Sequence, residues 1–342
     1  MYNQYTMNQK KTIIKLYFDR ICSVFFILLF SGCAYVNVSV IQPVTPLKEQ
    51  VIEGKGQAKI LLLNISGFIS EIGRSDRLKL QHSPSLVSEV RETLQKAMKD
   101  NSIAGVIVKI NSPGGTVTAS DIIYHELMNF KKQKQVPVYA CITSLGTSGA
   151  YYIAAAADKV YSHPAAVTGS IGVIALKFNV AGLMTKLGIE EETIKSGDKK
   201  DLFSPFRELT PEEREIMQSI IDELHERFVD IVFNQRKGTL NRQELEKLAD
   251  GRIYTAGSAL KLKLVDRIAY MDDVITEMKT SLGIRDASII SYGRNGEYAG
   301  SIYSSTSVPN SSLLEMIGDY TDGHSSLPGF AFLYLWNPRE MK

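Results

Sequence analysis

Short apolar runs alternate with amphipathic stretches over residues 58–158, and this alternation constrains the fold more than any other feature of the chain. Ala58 to Asn64 (AKILLLN), Ile103 to Ile110 and Pro137 to Thr143 (PVYACIT) read as buried strands. Between the first two, Ser83 to Asp100 places Leu86, Val90, Leu94 and Met98 on one helical stripe, with Ser83 as cap and Pro84 in the first turn. Ala119 to Lys131 reads as a second helix. Strands that alternate with helices build a mainly parallel sheet with helices covering it, so the expected class is α/β. In such sheets functional residues collect at the carboxyl ends of the strands. Two small-residue turns fall there: Asn111-Ser112-Pro113-Gly114-Gly115 after the second strand and Gly146-Thr147-Ser148-Gly149-Ala150 after the third.

The pattern continues through Lys159 to Ser162 and a turn-and-strand pair at Thr168 to Ile174. A polar loop follows, Ser196-Gly197-Asp198-Lys199-Lys200-Asp201. Thr210, Pro211 and Glu213 form a capping box that starts a helix running to about Gln235. Shorter helices are expected over Asn241 to Ala249, Ala256 to Lys263 and Met271 to Leu282. The resulting division is a targeting segment over 1–32, a linker over 33–56 marked by Pro43 and Pro46, one catalytic-sized domain over 57–283, and an irregular tail over 284–342. That tail ends in an apolar patch, Phe330 to Trp336, which suits either packing on the body or membrane, or docking as an extra strand in a peptide groove.

Lys10, Lys11, Lys15 and Arg20 precede an apolar run from Ile21 to Phe30. A run of this length fits a signal-peptide core better than a spanning helix, which needs about 20 residues. It ends in Phe30-Ser31-Gly32-Cys33, which resembles a bacterial lipobox with Cys33 as the lipidated residue; an uncleaved hydrophobic anchor is the alternative. Either reading puts the body on the extracytoplasmic side of a bacterial membrane and tethered to it. A formal charge of +2 offers no case for nucleic acid. Three cysteines make no disulfide framework, the five histidines have no metal-ligand spacing, and no phosphate-binding glycine fingerprint occurs, so neither a metal nor a cofactor is implied.

Ser148 sits where a strand turns into a helix. Helix N-terminal amides stabilise negative charge, which suits a nucleophile, but serine is also among the best N-caps. Acyl transfer needs a nucleophile, a base and oxyanion donors. Gly114, Gly115 and Gly149 can present backbone amides without side-chain obstruction. The nearest downstream histidine, His163, stands too close in sequence and runs into the Pro164 turn, which argues against a Ser-His-Asp triad.

Four segments in order resemble the SppA-type signal peptide peptidases, whose fold is of the ClpP/crotonase type. They are the NSPGG loop (111–115), the serine turn (146–152), the TGSIGV segment (168–173) and the KSGDKKD loop (195–201). The stretches AAAADKVYSHP, EEREIMQSIID and DGRIYTAGSALKLKLVD are similar too, so the resemblance spans roughly residues 57 to 280. It implies Ser148 as nucleophile, Lys200 as general base, Ser170 as the group that holds the lysine amine, and hydrophobic peptides such as spent signal peptides as substrates. It further implies a half-length form that assembles as a ring-shaped homo-oligomer, with serine and lysine from neighbouring subunits. Lys199 and Lys195 are competitors for the base, and for a Lys-Lys pair a solvated loop is the plain alternative. A lysine that titrates near 10.4 is a poor base at neutral pH, and bringing it down by about 3 costs ~4 kcal/mol, so Asp198 and Asp201 must point away from the amine. The family's Ala-Ala-Ser-Gly-Gly stands here as Gly146-Thr147-Ser148-Gly149-Ala150, with the Thr147 hydroxyl beside the nucleophile as a competitor for its proton. A non-catalytic scaffold at the membrane and a crotonase-type acyl-thioester enzyme are the remaining alternatives; the export signal speaks against the second.

Overall fold

The computed structural model describes residues 45–76, 81–294, 300–304 and 332–335. Contacts gather Val44–Asp76 with His82–Lys342 into one unit; the other, Met1–Pro43 with Arg77–Gln81, lies almost wholly outside the described residues. The expected targeting segment and Cys33 fall there too. Among the described residues no helix is long and apolar enough to cross a membrane.

The main sheet is built around β2 (Lys59–Ser66), β5 (Ile103–Ser112), β7 (Val138–Thr147) and β8 (Lys159–Ser162), each parallel to the next. Two short strands, β3 (Arg74–Asp76) and β4 (Gln81–Ser83), lie between β2 and the first helix in sequence. β2 and β5 are apolar on both faces for a reason visible in their alternation. Leu61, Leu63 and Ile65 of β2 and Val106, Val108 and Ile110 of β5 enter one core, while Ile60, Leu62 and Ile107 enter the other. The first core lies under α1 (Leu86–Lys99), α2 (Val117–Lys134) and α3 (Gly149–Ala154). Ser85, not Ser83, caps α1, accepting from the Ser88 amide at 3.2 Å; Pro84 therefore precedes the cap. Val90 and Leu94 of the expected stripe are buried and Leu86 and Met98 pack at its edge.

Further along, β9 (Val167–Gly169) pairs in parallel with the end of β7, and β10 (Ile174–Ala175) precedes α4 (Ala181–Leu187). α5 (Pro211–Gln235) starts with the expected capping box of Thr210 and Glu213. α6 (Arg242–Leu248), β11 (Ile253–Thr255), α7 (Ala256–Lys261), β12 (Arg267–Ile268) and α8 (Met271–Ser281) follow, and α8 covers the second core.

Both presumed irregular ends contain sheet. Within the expected linker, β1 (Lys48–Glu53) lines the sheet edge antiparallel to β13 (Ser288–Gly293). β13 itself, inside the expected irregular tail, is parallel to β2, with Ile289 and Ile290 fully buried. Its six residues are too few, and its flanks too rich in Ser and Gly, for periodicity to stand out. β14 (Phe332–Leu335) lies between β10 and β6 (Gly114–Thr116), antiparallel to both.

Candidate active site

β7 runs through to Thr147, so Ser148 is the single residue between the strand and α3. Its φ of 55° and ψ of −121° belong to a region that glycine occupies freely and other residues seldom enter. Ser148 is not an N-cap, since its hydroxyl makes no cap hydrogen bond. The turn is held by backbone instead: the Ser148 amide donates to Gly169 O at 2.7 Å and the Tyr152 amide to Ser148 O at 2.9 Å. A strained strand-to-helix turn that carries a serine is the arrangement that aims a nucleophile away from the sheet. Ser148 is buried, and its Oγ has no hydrogen-bond partner among the described residues.

Gly114, Gly115 and Gly149 meet at this turn. A methyl group placed on Gly114 would stand 2.9 Å from the Gly149 amide nitrogen, and one on Gly149 would stand 3.3 Å from the Gly115 nitrogen. The same methyl on Gly149 would meet Ser120 Oγ at 2.3 Å, so only glycine fits there. The Gly114 amide is already engaged, donating to Ser112 Oγ at 3.1 Å. Ser112 in turn donates to Gly67 O at 2.6 Å, which fixes the loop. Gly149, at the first helical position, has an amide with no intrahelical partner by construction.

The departures from the family's turn are absorbed by packing. Gly146 leaves room for the Ile142 side chain, which a methyl there would meet at 2.6 Å. Thr147 is fully buried, and among the described residues neither its Oγ1 nor Ser148 Oγ has a hydrogen-bond partner, so the two hydroxyls are not bonded to each other. Ser170, at φ 52°, follows the Gly169 carbonyl that holds Ser148, and its amide donates to Arg252 O at 2.8 Å.

Lys200 is not brought to Ser148 within this chain. It stands exposed in a turn where its amide donates to Gly197 O at 3.0 Å, and no hydrogen bond or ion pair engages its amine among the described residues. Its rivals are both tied up. Lys199 donates to Glu212 at 2.6 Å, a bond that raises its pKa, and Lys195 donates to Asp201 at 2.7 Å. Asp201 is also gripped by two nitrogens of Arg207 at 2.8 and 2.7 Å, and Arg207 pairs with Glu213 at 2.7 Å. The Arg207 and Lys195 hydrogen bonds hold the Asp201 carboxyl far below the usual range, and its charge is spent on them rather than on Lys200.

His163 contacts Tyr270 edge-on at 4.9 Å and accepts from the Ala165 amide at 3.1 Å, and it makes no hydrogen bond to Ser148 Oγ. Among the described residues no group of three or more His, Cys, Asp or Glu is placed to hold a metal.

Sequence reasoning left the occupant of the site open between strand docking and plain packing, and the structure shows a docked strand. β14 pairs Leu335 with Gly114, Tyr334 with Gly115 and Leu333 with Thr116, while its other edge pairs with Ile174 and Ala175. The chain's own C-terminal segment thus lies as the middle strand beside the Ser148 turn. The apolar patch at Phe330 to Trp336 was the available signal, but strand docking and plain packing predict the same composition.

A strained serine at the carboxyl end of a parallel strand, with glycine amides converging beside it, defines a serine-nucleophile hydrolase of α/β class. The family model described as peptidase family S49 matches residues 130–285, and the Clp protease model matches residues 78–168, in keeping with a ClpP-like fold. A protein of Enterococcus faecium named as signal peptide peptidase SppA is 35% identical over 72% of this chain and 70% of its own length. A protein of Methanocaldococcus jannaschii named as a protease is 38% identical over 57% of this chain and 61% of its own. The chloroplastic serine protease SPPA of Arabidopsis thaliana is 28% identical over 67% of this chain and 33% of its own. The chain belongs to the S49 family of SppA-type peptidases and is a serine peptidase.

Proposed function

We propose that the protein is a membrane-tethered serine endopeptidase that uses a Ser148–Lys200 dyad to cleave hydrophobic peptides such as spent signal peptides. The observation that carries this reading is the strained Ser148 turn with the Gly115 and Gly149 amides beside it. Ser148 Oγ attacks the peptide carbonyl, the two amides receive the oxyanion, and the lysine amine takes the hydroxyl proton and returns it to the leaving amine. The E. faecium relative's name supports the substrate class.

Lys200 acts from a neighbouring copy. Supporting this, Ser148 Oγ lacks a partner among the described residues while Lys200 stands exposed and unengaged there. Residues 178–216 also expose Phe178, Leu183, Leu187, Ile189, Ile194, Phe203, Phe206 and Ile216, an apolar surface suited to a homo-oligomer. Ser170, next in sequence to Gly169, whose carbonyl holds the Ser148 amide, receives the incoming amine. The N-terminal segment anchors the assembly on the extracytoplasmic side, through a lipidated Cys33 or an uncleaved hydrophobic segment. Mixing Ser148→Ala with Lys200→Ala protein tests the shared site: subunit exchange restores activity, and no rescue under demonstrated exchange overturns it.

A further inference from the structure

Arg207 stands between two acidic side chains and commits its whole guanidinium to holding them together. Its Nε and Nη2 donate to the two carboxylate oxygens of Asp201 at 2.8 and 2.7 Å. Nη1 and Nη2 donate to the two of Glu213 at 2.8 and 2.7 Å, and Nη1 also donates to Glu208 O at 2.9 Å. A guanidinium carries five N–H groups in one plane, and these contacts engage all of them.

The two carboxylates belong to different parts of the chain. Asp201 directly follows Lys200 in the polar turn, where the Lys200 amide donates to Gly197 O at 3.0 Å and the Ser204 amide to Asp201 O at 2.9 Å. Glu213 is buried and closes the capping box of α5, accepting from the Thr210 amide at 2.9 Å. Phe228, Val229 and Val232 sink the far half of α5 into the first core. A rigid path therefore runs from the core along α5, through Glu213 and Arg207, to the residue beside Lys200. Backbone contacts brace the same joint: Lys177 Nζ donates to Arg207 O and the Val180 amide to Pro205 O, both at 2.7 Å.

The polar turn has little else to order it. Over residues 195–204 Leu202 is the one buried residue, so ionic hydrogen bonds supply the order that burial does not. On the shared-site reading above, Lys200 meets Ser148 only across copies, and the geometry of its turn has to be set within its own chain. We propose that Arg207 is the positioning residue for the general base: acting through Asp201, it fixes the turn that presents Lys200 to the neighbouring serine. The same contact, with Lys195 at 2.7 Å, turns the Asp201 charge away from the Lys200 amine, which would otherwise be held in its protonated form. Lysine cannot replace Arg207, because an ammonium lacks the planar fork that holds two carboxylates face on. The inference rests on the Ser148–Lys200 dyad and adds to it the residue that aims the base.

The test measures kcat and KM on a quenched-fluorescence hydrophobic peptide for full-length wild type, Arg207→Lys, Asp201→Ala, the double variant and Lys200→Ala. Thermal melting and light scattering check the fold and assembly of each. A catalytic group displaced by about 1 Å loses up to about 100-fold in rate. Arg207→Lys and Asp201→Ala therefore each lower kcat by about 10- to 100-fold, with KM unchanged because the Ser148 turn is untouched. Asp201→Ala also removes an acidic neighbour, which by charge alone would make Lys200 a better base, so a fall in that variant reads position. The double variant is no slower than the slower single, since both changes cut one link. If Arg207→Lys fails to fold or assemble, Asp201→Ala, which leaves the Arg207–Glu213 pair in place, decides. A wild-type kcat in either single variant, losses that multiply in the double, or a KM that rises as kcat falls overturns the positioning role. Lys200→Ala at the wild-type kcat overturns the dyad and this role with it. A slow Lys200→Ala beside an Arg207→Lys at full rate overturns the positioning role alone.

Discussion

Replacing Ser148 by glycine will abolish activity and yet leave the protein more stable than replacing it by alanine. At φ 55° and ψ −121° a side chain crowds its own backbone, a strain of about 1–3 kcal/mol. Alanine keeps the Cβ that causes it; glycine removes it. Glycine's greater freedom in the unfolded chain opposes this by about 0.5–1 kcal/mol. Both variants delete the same buried, unpartnered hydroxyl, so that contribution cancels between them. The difference is therefore about 1 kcal/mol in favour of glycine, which for a chain of this size is a melting temperature higher by about 2 °C. Calorimetry on the two variants side by side reads it directly. An alanine variant that melts at or above the glycine variant refutes the strain at the nucleophile.

Three further outcomes are expected. Deleting residues 325–342 frees the edge of β6: if strand docking is worth about 1.4 kcal/mol, KM for a peptide substrate falls roughly ten-fold, whereas unchanged kinetics dismiss β14 as a competitor. Lys200→Ala lowers kcat by about 10²- to 10⁴-fold, the usual worth of a general base, while Lys199→Ala, whose amine is bound to Glu212, stays within a few-fold of wild type. The Arg207 guanidinium, with the Thr210 amide, holds the Glu213 carboxyl down to about 2. A folded value below the unfolded one means this contribution is present above about pH 4.5 and is lost as pH falls toward 2. Urea midpoints measured across that window fall less steeply for Glu213→Gln than for wild type, and parallel slopes contradict the pairing.

The core of the fold was legible because β2, β5 and β7 are continuous apolar runs separated by helices with a clear stripe, and because Thr210, Pro211 and Glu213 carry their own start signal. β1 and β13 were not legible. Each is a strand of six residues whose place depends on a partner more than 230 positions away, as Val51 opposite Ile290 shows, and local composition does not encode that pairing. The site divides in the same way. The glycines around Ser148 announced close backbone approach, and the structure brings Gly114, Gly115 and Gly149 together. Composition favoured an N-cap at Ser148, and only the structure shows that its hydroxyl makes no cap hydrogen bond. The Lys200 loop reads as solvated and is solvated in the single chain. Whether Tyr334 packs or docks was left open, because its place comes from tertiary contacts with Tyr152, Phe228 and Leu224, none of them close to it in sequence.

The central claim is tested most directly by active-site labelling with a fluorophosphonate, followed by peptide mapping, on wild type, Ser148→Ala and Lys200→Ala. The account predicts a single label on Ser148 in the wild type, none in Ser148→Ala, and a strongly slowed reaction in Lys200→Ala. Label retained in Ser148→Ala, or Lys200→Ala labelled at the wild-type rate, would contradict it.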